Sequence, residues 1–123
     1  MNNIGIGVDI ESIKRFENIN PQKDANFCDK IFTQNEKNYC FKKKSSAQHL
    51  AVRFAAKEAI IKAIGCLDFK LPPFKSIEII NDKTGAPKVY IHVEYLKHIQ
   101  AKISLSHCED KAIAFAIIKN VKK

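Results

Sequence analysis

Tryptophan is absent from the 123 residues, and no stretch interleaves lysine or arginine with aromatics as RNA-binding modules do. This argues against the main rival reading, a basic nucleic-acid-binding domain, so no nucleic acid partner is expected. The chain has no low-complexity tract and no internal repeat, and at 46% hydrophobic and 28% charged residues disorder is not the default. No apolar stretch approaches the ~20 residues needed to cross a bilayer. The opening MNNIGIGVDIE carries no basic region followed by an apolar run and a cleavage site. A soluble, cytoplasmic protein with no membrane partner is the expectation. Cys28, Cys40, Cys66 and Cys108 are too far apart for a CxxC pair and too sparse for a secreted disulfide framework, so they read as reduced thiols.

What the chain does have is positive charge. Its net charge is +8, and the basic excess is divided evenly between its two halves. The charge therefore belongs to the folded body rather than to a detachable arm, and it predicts attraction to something anionic. The length suits one domain spanning residues 1–123, enough to bury roughly two-thirds of the unfolded surface.

Residues 4–11 alternate, with Ile4, Ile6, Val8 and Ile10 on one face and Gly5, Gly7, Asp9 and Glu11 on the other. This is the pattern of a half-buried strand. Its two glycines leave bare backbone beside Asp9, as happens where a ligand or another chain comes close. Helices are expected near 12–18, 21–28, 34–42 and 46–64. Asn20-Pro21 has the form of an N-cap with proline at the first helical position, and Thr33/Glu36 and Ser45/Gln48 have capping-box spacing. Glycine and prolines in GCLDFKLPPF end the long helix. Strands at 76–80 and 88–93 flank a turn with Asn81, Gly85 and Pro87; a short helix near 94–100 and strands at 103–107 and 112–119 follow. The order predicts an α+β fold with a largely antiparallel sheet and a long central helix.

That helix carries the unusual stretch RFAAKEAIIKAIG. Leu50, Phe54, Ile61 and Ile64 line up with Ala47 as a core stripe, while Glu58 and Lys62 fall to one side over Ala51 and Ala55, which leave a hollow. The bland reading is a surface Glu58–Lys62 pair worth about 0.2–0.5 kcal/mol. Lys57 falls inside the apolar stripe and would have to snorkel out. Asp9 and Glu58 together offer two hard oxygen ligands, the usual protein share of a Mg²⁺ site completed by phosphates and water. Lys42, Lys43 and Lys44 precede the N-terminus of the long helix, where an anion is favoured, and Arg53 is placed two turns on. Ser104, Ser106 and His107 add hydroxyls and an imidazole at a strand end.

Three of these stretches coincide with one family's signature, and the chain resembles the bacterial holo-acyl-carrier-protein synthases, which are phosphopantetheinyl transferases. GIGVDIESIKRF matches the family's opening strand with Asp9 and Arg15. RFAAKEA, with Lys62, Ala63 and Gly65 after it, matches the helix, and SLSHCEDKAIAFAI matches the Ser-x-Ser-His strand. The weaker turn motif is present at Asn81, Gly85 and Pro87. Cys66 and Leu67 depart from the family's usual Thr-Gly and put in question how that loop meets the nucleotide.

The resemblance implies the phosphopantetheinyl transferase fold and transfer of the phosphopantetheine arm of coenzyme A to a serine of apo-acyl carrier protein. The other product would be adenosine bisphosphate, and the pathway fatty acid biosynthesis. By carry-over, Asp9 and Glu58 hold Mg²⁺, with Mn²⁺ as the alternative ion, and Glu58 takes the serine proton directly or through a metal-bound water. Lys62 neutralises the departing phosphate. Lys44, Arg53, Lys62, Gly65, Ser106 and His107 are the coenzyme A-binding candidates. Arg15 and Lys14 face the acidic acyl carrier protein. A homotrimer with sites between subunits is implied, which would account for glycines and alanines on exposed faces. A non-catalytic coenzyme-binding subunit of the same fold is the second rival, and the combination of Asp9, Glu58 and Lys62 argues against it.

Overall fold

A computed structural model describes residues 3–122; Met1, Asn2 and Lys123 lie outside the described residues. The elements are strand β1 (Ile4–Ser12), helices α1 (Ala25–Ile31), α2 (Gln34–Phe41) and α3 (Ser46–Gly65), and strands β2 (Ile77–Asn81), β3 (Pro87–Ile91), β4 (Ile99–Cys108) and β5 (Lys111–Asn120). All ladders are antiparallel. A three-stranded sheet runs β1-β5-β4, and β2 and β3 form a separate hairpin. The α+β class and the antiparallel pairing are as expected, in two sheets rather than one.

α3 is the axis of the molecule. Along the three-stranded sheet it packs on β1 and β5, and its other side meets α2 and β2. It is therefore buried nearly all round, from Leu50 to Ile64, rather than along one stripe. The alanines leave no hollow. A Cβ on Gly5 would lie 2.1 Å from the Ala63 carbonyl oxygen and one on Gly7 1.9 Å from that of Ala59, so β1 lies directly on the helix backbone. Neither a ligand nor an exposed interface accounts for these glycines and alanines; their own packing does.

This close contact decides which face of β1 is inward. Gly5, Gly7 and Asp9 face α3, and Ile4, Ile6, Val8 and Ile10 point outward and stand half exposed. On β5, Ala112, Ala114, Ala116 and Ile118 are buried, while Ile113, Phe115 and Ile117 share the outer face with the β1 residues.

Several boundaries move for local reasons. The expected helix at 12–18 is a single 3-10 turn at Ile13–Phe16. The one expected at 21–28 begins at Ala25 instead. The Asn20 side chain accepts N–H bonds from Gln22 and Lys23, and Asp24 bonds back to Asn20, closing a turn that competes with helix. The capping box at Thr33/Glu36 forms as the spacing predicts. The Ser45/Gln48 box does not: Ser45 makes no side-chain cap, and the Gln48 amide crosses to His107 of β4. The helix expected at 94–100 is one 3-10 turn, Glu94–Leu96, because β4 already begins at Ile99 with Ile99, Ala101, Ile103 and Leu105 facing the core. α3 ends at Gly65, as the glycine and the prolines after it predict, and the left-handed residue of the following loop is Asp68, at φ 62°.

Candidate active site

Asp9 follows Gly5 and Gly7 on the inward face of β1, and the step that sets those glycines on Ala63 and Ala59 carries it one turn further along α3. There it meets Glu58. The two carboxylates have company in Glu11, which the period-2 alternation places on the same strand face: one ligand oxygen from each of Asp9, Glu11 and Glu58 lies within 4.8 Å of the others. Glu11 is the functional candidate that the motif reading passed over, although the alternation already put it beside Asp9.

Like charges this close raise one another's proton affinity. Burial, then the Asp9 carboxylate, pushes the Glu11 carboxyl up to about 7 against the pull of Arg15. Burial and Asp9 also raise Glu58, with Lys62 and Arg15 opposing. Two cations flank the cluster. Lys62 Nζ donates to the Val8 carbonyl at 3.0 Å and approaches Asp9 Oδ1 at 3.4 Å. Arg15 Nη1 donates to Glu11 Oε1 at 3.0 Å. The simple surface pair between Glu58 and Lys62 is not formed; Lys62 turns to Asp9 instead.

The decisive atom is Asp9 Oδ2, which is shielded from solvent and has no hydrogen-bond partner among the described residues. A buried anionic oxygen without a donor is unfavourable by itself. In a cluster of three carboxylates it fits a hard divalent cation.

The other predicted residues gather elsewhere. Nine residues at about 100° each set Lys62 half a turn round α3 from Arg53. Arg53 accordingly faces α2 and β2 and lines a cleft of about 510 Å³ with Tyr39, His49, Asn81, Ser106 and His107. This cleft is on the side of α3 away from the carboxylates. Arg53 is only 4% exposed. Its guanidinium lies 4.3 Å over the Tyr39 ring and donates to Asn81 Oδ1 at 2.5 Å, and its buried Nε has no partner among the described residues. The cleft thus holds a buried cation with a spare donor, suited to an anion. Burial and the nearby Arg53 hold the His49 imidazole below its usual range. Lys44 is exposed in the turn before α3, and Gly65 is exposed at that helix's end.

Lys57 does not snorkel. It is fully buried, and its ammonium is matched by three acceptors: Glu36 Oε1 at 2.6 Å, the Ile31 carbonyl at 2.6 Å and the Phe74 carbonyl at 3.2 Å. Glu36, the capping-box residue of α2, also accepts the Thr33 and Ile79 amides. Buried between α2, α3 and β2, this pair is structural and sits apart from the carboxylate cluster.

With that geometry in place, residues 5–116 match the family described as the 4'-phosphopantetheinyl transferase superfamily. The chain belongs to this family. It is 39% identical to a holo-[acyl-carrier-protein] synthase of Protochlamydia amoebophila, with 93% of this chain and 96% of that protein covered. It is 38% identical to the enzyme of the same description from Clostridium tetani, covering 94% and 95%. Among solved structures, the holo-[acyl-carrier-protein] synthase of Helicobacter pylori in complex with coenzyme A superposes with a TM-score of 0.77 at 32% identity, over 93% of this chain and 99% of that one. That of Neisseria meningitidis gives 0.79 at 31%, over 94% and 97%. Of the candidate residues, Asp9, Glu58 and Lys62 meet at the carboxylate cluster, Arg53, Ser106 and His107 line the cleft, and Lys44 and Gly65 lie in neither.

Proposed function

We propose that this chain is a single-domain enzyme of fatty acid biosynthesis, acting in the cytoplasm, that moves the phosphopantetheine arm of coenzyme A onto a serine of apo-acyl carrier protein. The serine oxygen forms a bond to the phosphorus that carries the arm, the pyrophosphate bridge to that phosphorus breaks, and adenosine bisphosphate leaves with the bridging oxygen. The observation that carries the reading is the Asp9–Glu11–Glu58 cluster with its unpartnered Asp9 Oδ2 beside the Lys62 ammonium. Asp9 and Glu58 would hold Mg²⁺ or Mn²⁺, with Glu11 as a third carboxylate. Bound there, the ion supplies charge neutralisation on the pyrophosphate.

Lys62 faces the charge that develops on the departing phosphate, the step at which an added positive charge favours the transition state most. Burial and Asp9 make Glu58 a stronger base than a free glutamate, which suits it to receive the serine proton. Arg53, Ser106 and His107 line the cleft for the ribose phosphate, with Lys44 and Gly65 at the two ends of the same helix. Arg15 and Lys14, both exposed just after β1, suit an acidic carrier protein, in keeping with the net charge of +8.

Arg53 and Lys62 point to opposite sides of α3, so a single chain does not bring both to one coenzyme. The exposed apolar face of Ile6, Val8, Ile10, Ile113, Phe115 and Ile117 is the kind of surface that another copy covers. A homotrimer that joins the cleft of one copy to the carboxylates of the next satisfies both features.

The test is the intact mass of apo-acyl carrier protein after incubation with this protein, coenzyme A and Mg²⁺, with a chelator control. A metal-dependent gain of one phosphopantetheine arm is expected. No gain from carrier and coenzyme that a known transferase accepts would overturn the reading. Sedimentation showing an active monomer would sink the shared site alone.

A further inference from the structure

Arg15 stands between two of the proposed tasks. Its guanidinium donates to Glu11 at 3.0 Å, yet its side chain is 54% exposed, whereas that of Glu11 is only 12% exposed. The guanidinium rests against aromatic rings, 4.9 Å from the Phe54 centroid and 5.5 Å from that of Phe16. That platform holds the cation at the rim through contacts that do not depend on Glu11. An oxygen of Glu11 in turn lies within 4.8 Å of one each from Asp9 and Glu58, and Asp9 Oδ2 beside it is buried without a partner among the described residues. The site therefore contains an oxygen in need of a cation and a neighbouring carboxylate already committed to one.

Building on the function proposed above, we propose that Glu11 is a positioning residue whose Arg15 partner is exchanged: an acidic carrier protein docking on Arg15 draws it away from Glu11, and the freed carboxylate turns to the divalent ion. The exchange follows from competition for one guanidinium. While Arg15 holds Glu11 Oε1, a metal ion must share that oxygen with a fixed positive charge. An incoming carboxylate gives Arg15 an alternative acceptor at the solvent side, and Glu11 is left for the ion. Because linkage is reciprocal, the ion must strengthen carrier binding by the same factor that the carrier strengthens ion binding. The enzyme would thus assemble its metal site most completely when the acceptor is present.

Mn²⁺ alone, followed by the paramagnetic resonance of the free ion, reads this without turnover. The dissociation constant is measured for the full-length protein with and without a carrier whose acceptor serine is replaced by alanine, in the absence of coenzyme A. A tightening of about fivefold or more on adding carrier is expected, the low end of ordinary coupling between sites. In Glu11→Gln that factor should fall to one while carrier affinity without metal equals or exceeds the wild-type value, because Arg15 is no longer occupied. In Arg15→Ala, measured without carrier, Mn²⁺ should bind more tightly than in the wild type. An undiminished factor in Glu11→Gln would mean that carrier and ion attract through space, and the exchange would be overturned. An Arg15→Ala protein that binds Mn²⁺ no better would overturn it independently, should Glu11→Gln misfold. Wild-type protein that binds carrier and Mn²⁺ without any coupling also refutes the exchange while leaving the transferase reading intact. Failure to bind Mn²⁺ at all would instead remove the metal site on which both rest.

Discussion

On one side of α3, Lys57 meets Glu36 in the interior; one residue later and about 100° round the helix, Glu58 meets Asp9 and Glu11 at the rim. Both sites bring carboxylates and a lysine together, but Lys57 is fully buried whereas the Lys62 side chain is 56% exposed. They differ in completeness. Every donor of the Lys57 ammonium has an acceptor, and both oxygens of Glu36 are engaged, one by Lys57 and the Thr33 amide and the other by the Ile79 amide. At the rim an oxygen of Asp9 has no donor among the described residues, and three carboxylates share two cations. A closed network holds elements together, and an open one is ready for something the chain does not itself supply.

The sharpest way to break this contrast is at its structural side. Lys57→Ala would leave Glu36 buried with one oxygen stripped of its ammonium, and removing one partner of such a pair costs about 3–5 kcal/mol. Chemical denaturation should show that loss. A cost below about 1 kcal/mol would mean the interior pair is not what fixes α2 and β2 to α3. Asp9→Asn should do the reverse. Removing one of three crowded carboxylates should leave the melting temperature unchanged or raised, while transfer to the carrier falls on the order of 10²-fold. Equal loss of stability in both variants would erase the distinction between the two sites.

Arg15→Glu probes the outer edge of the open site and should have a smaller effect. Reversal of one exposed docking charge is expected to lower kcat/KM for the carrier by about tenfold, chiefly through association, with coenzyme affinity retained. Equal loss for coenzyme and carrier would place Arg15 in the nucleotide site instead.

The two sites were not equally legible. The capping box of α2 follows from local spacing and forms, while the same kind of spacing sets Glu58 and Lys62 on one side of α3 without the surface pair it suggests, because Lys62 turns to Asp9. The Glu36–Lys57 pair joins residues 21 apart on different helices, and the only local hint was a lysine inside an apolar stripe. Period-2 alternation in β1 separated two faces correctly but could not say which is inward; the glycines decide that by letting the strand lie on the Ala59 and Ala63 carbonyls. Glu11 was visible on the face of Asp9, but only the fold brings Glu58 to both. The split between Arg53 and Lys62 is written in the helical period. Its consequence emerges only when β1 is seen on one side of α3 and β2 on the other.

The finest test of the contrast is the pH dependence of Glu11→Gln, measured without metal. The Glu11 carboxyl stands at about 7 in the folded protein, against 4.5 for a free glutamate. Below pH 4.5 both states are protonated, and the residue carries no penalty. Between 4.5 and about 7 the unfolded chain ionises first, so it binds fewer protons than the native state and stability falls as pH rises; above about 7 the deficit is constant. Replacing Glu11 with glutamine removes the ionisation. The variant should therefore be more stable than the wild type at pH 8, by on the order of 1 kcal/mol given solvent access and Arg15, and indistinguishable near pH 4. Saturating Mg²⁺ should shrink or invert the gap at pH 8, because only the wild type gains a third carboxylate's share of ion binding. A gap that ignores both pH and metal would show that Glu11 is packed like Glu36, and the open site would lose its third member.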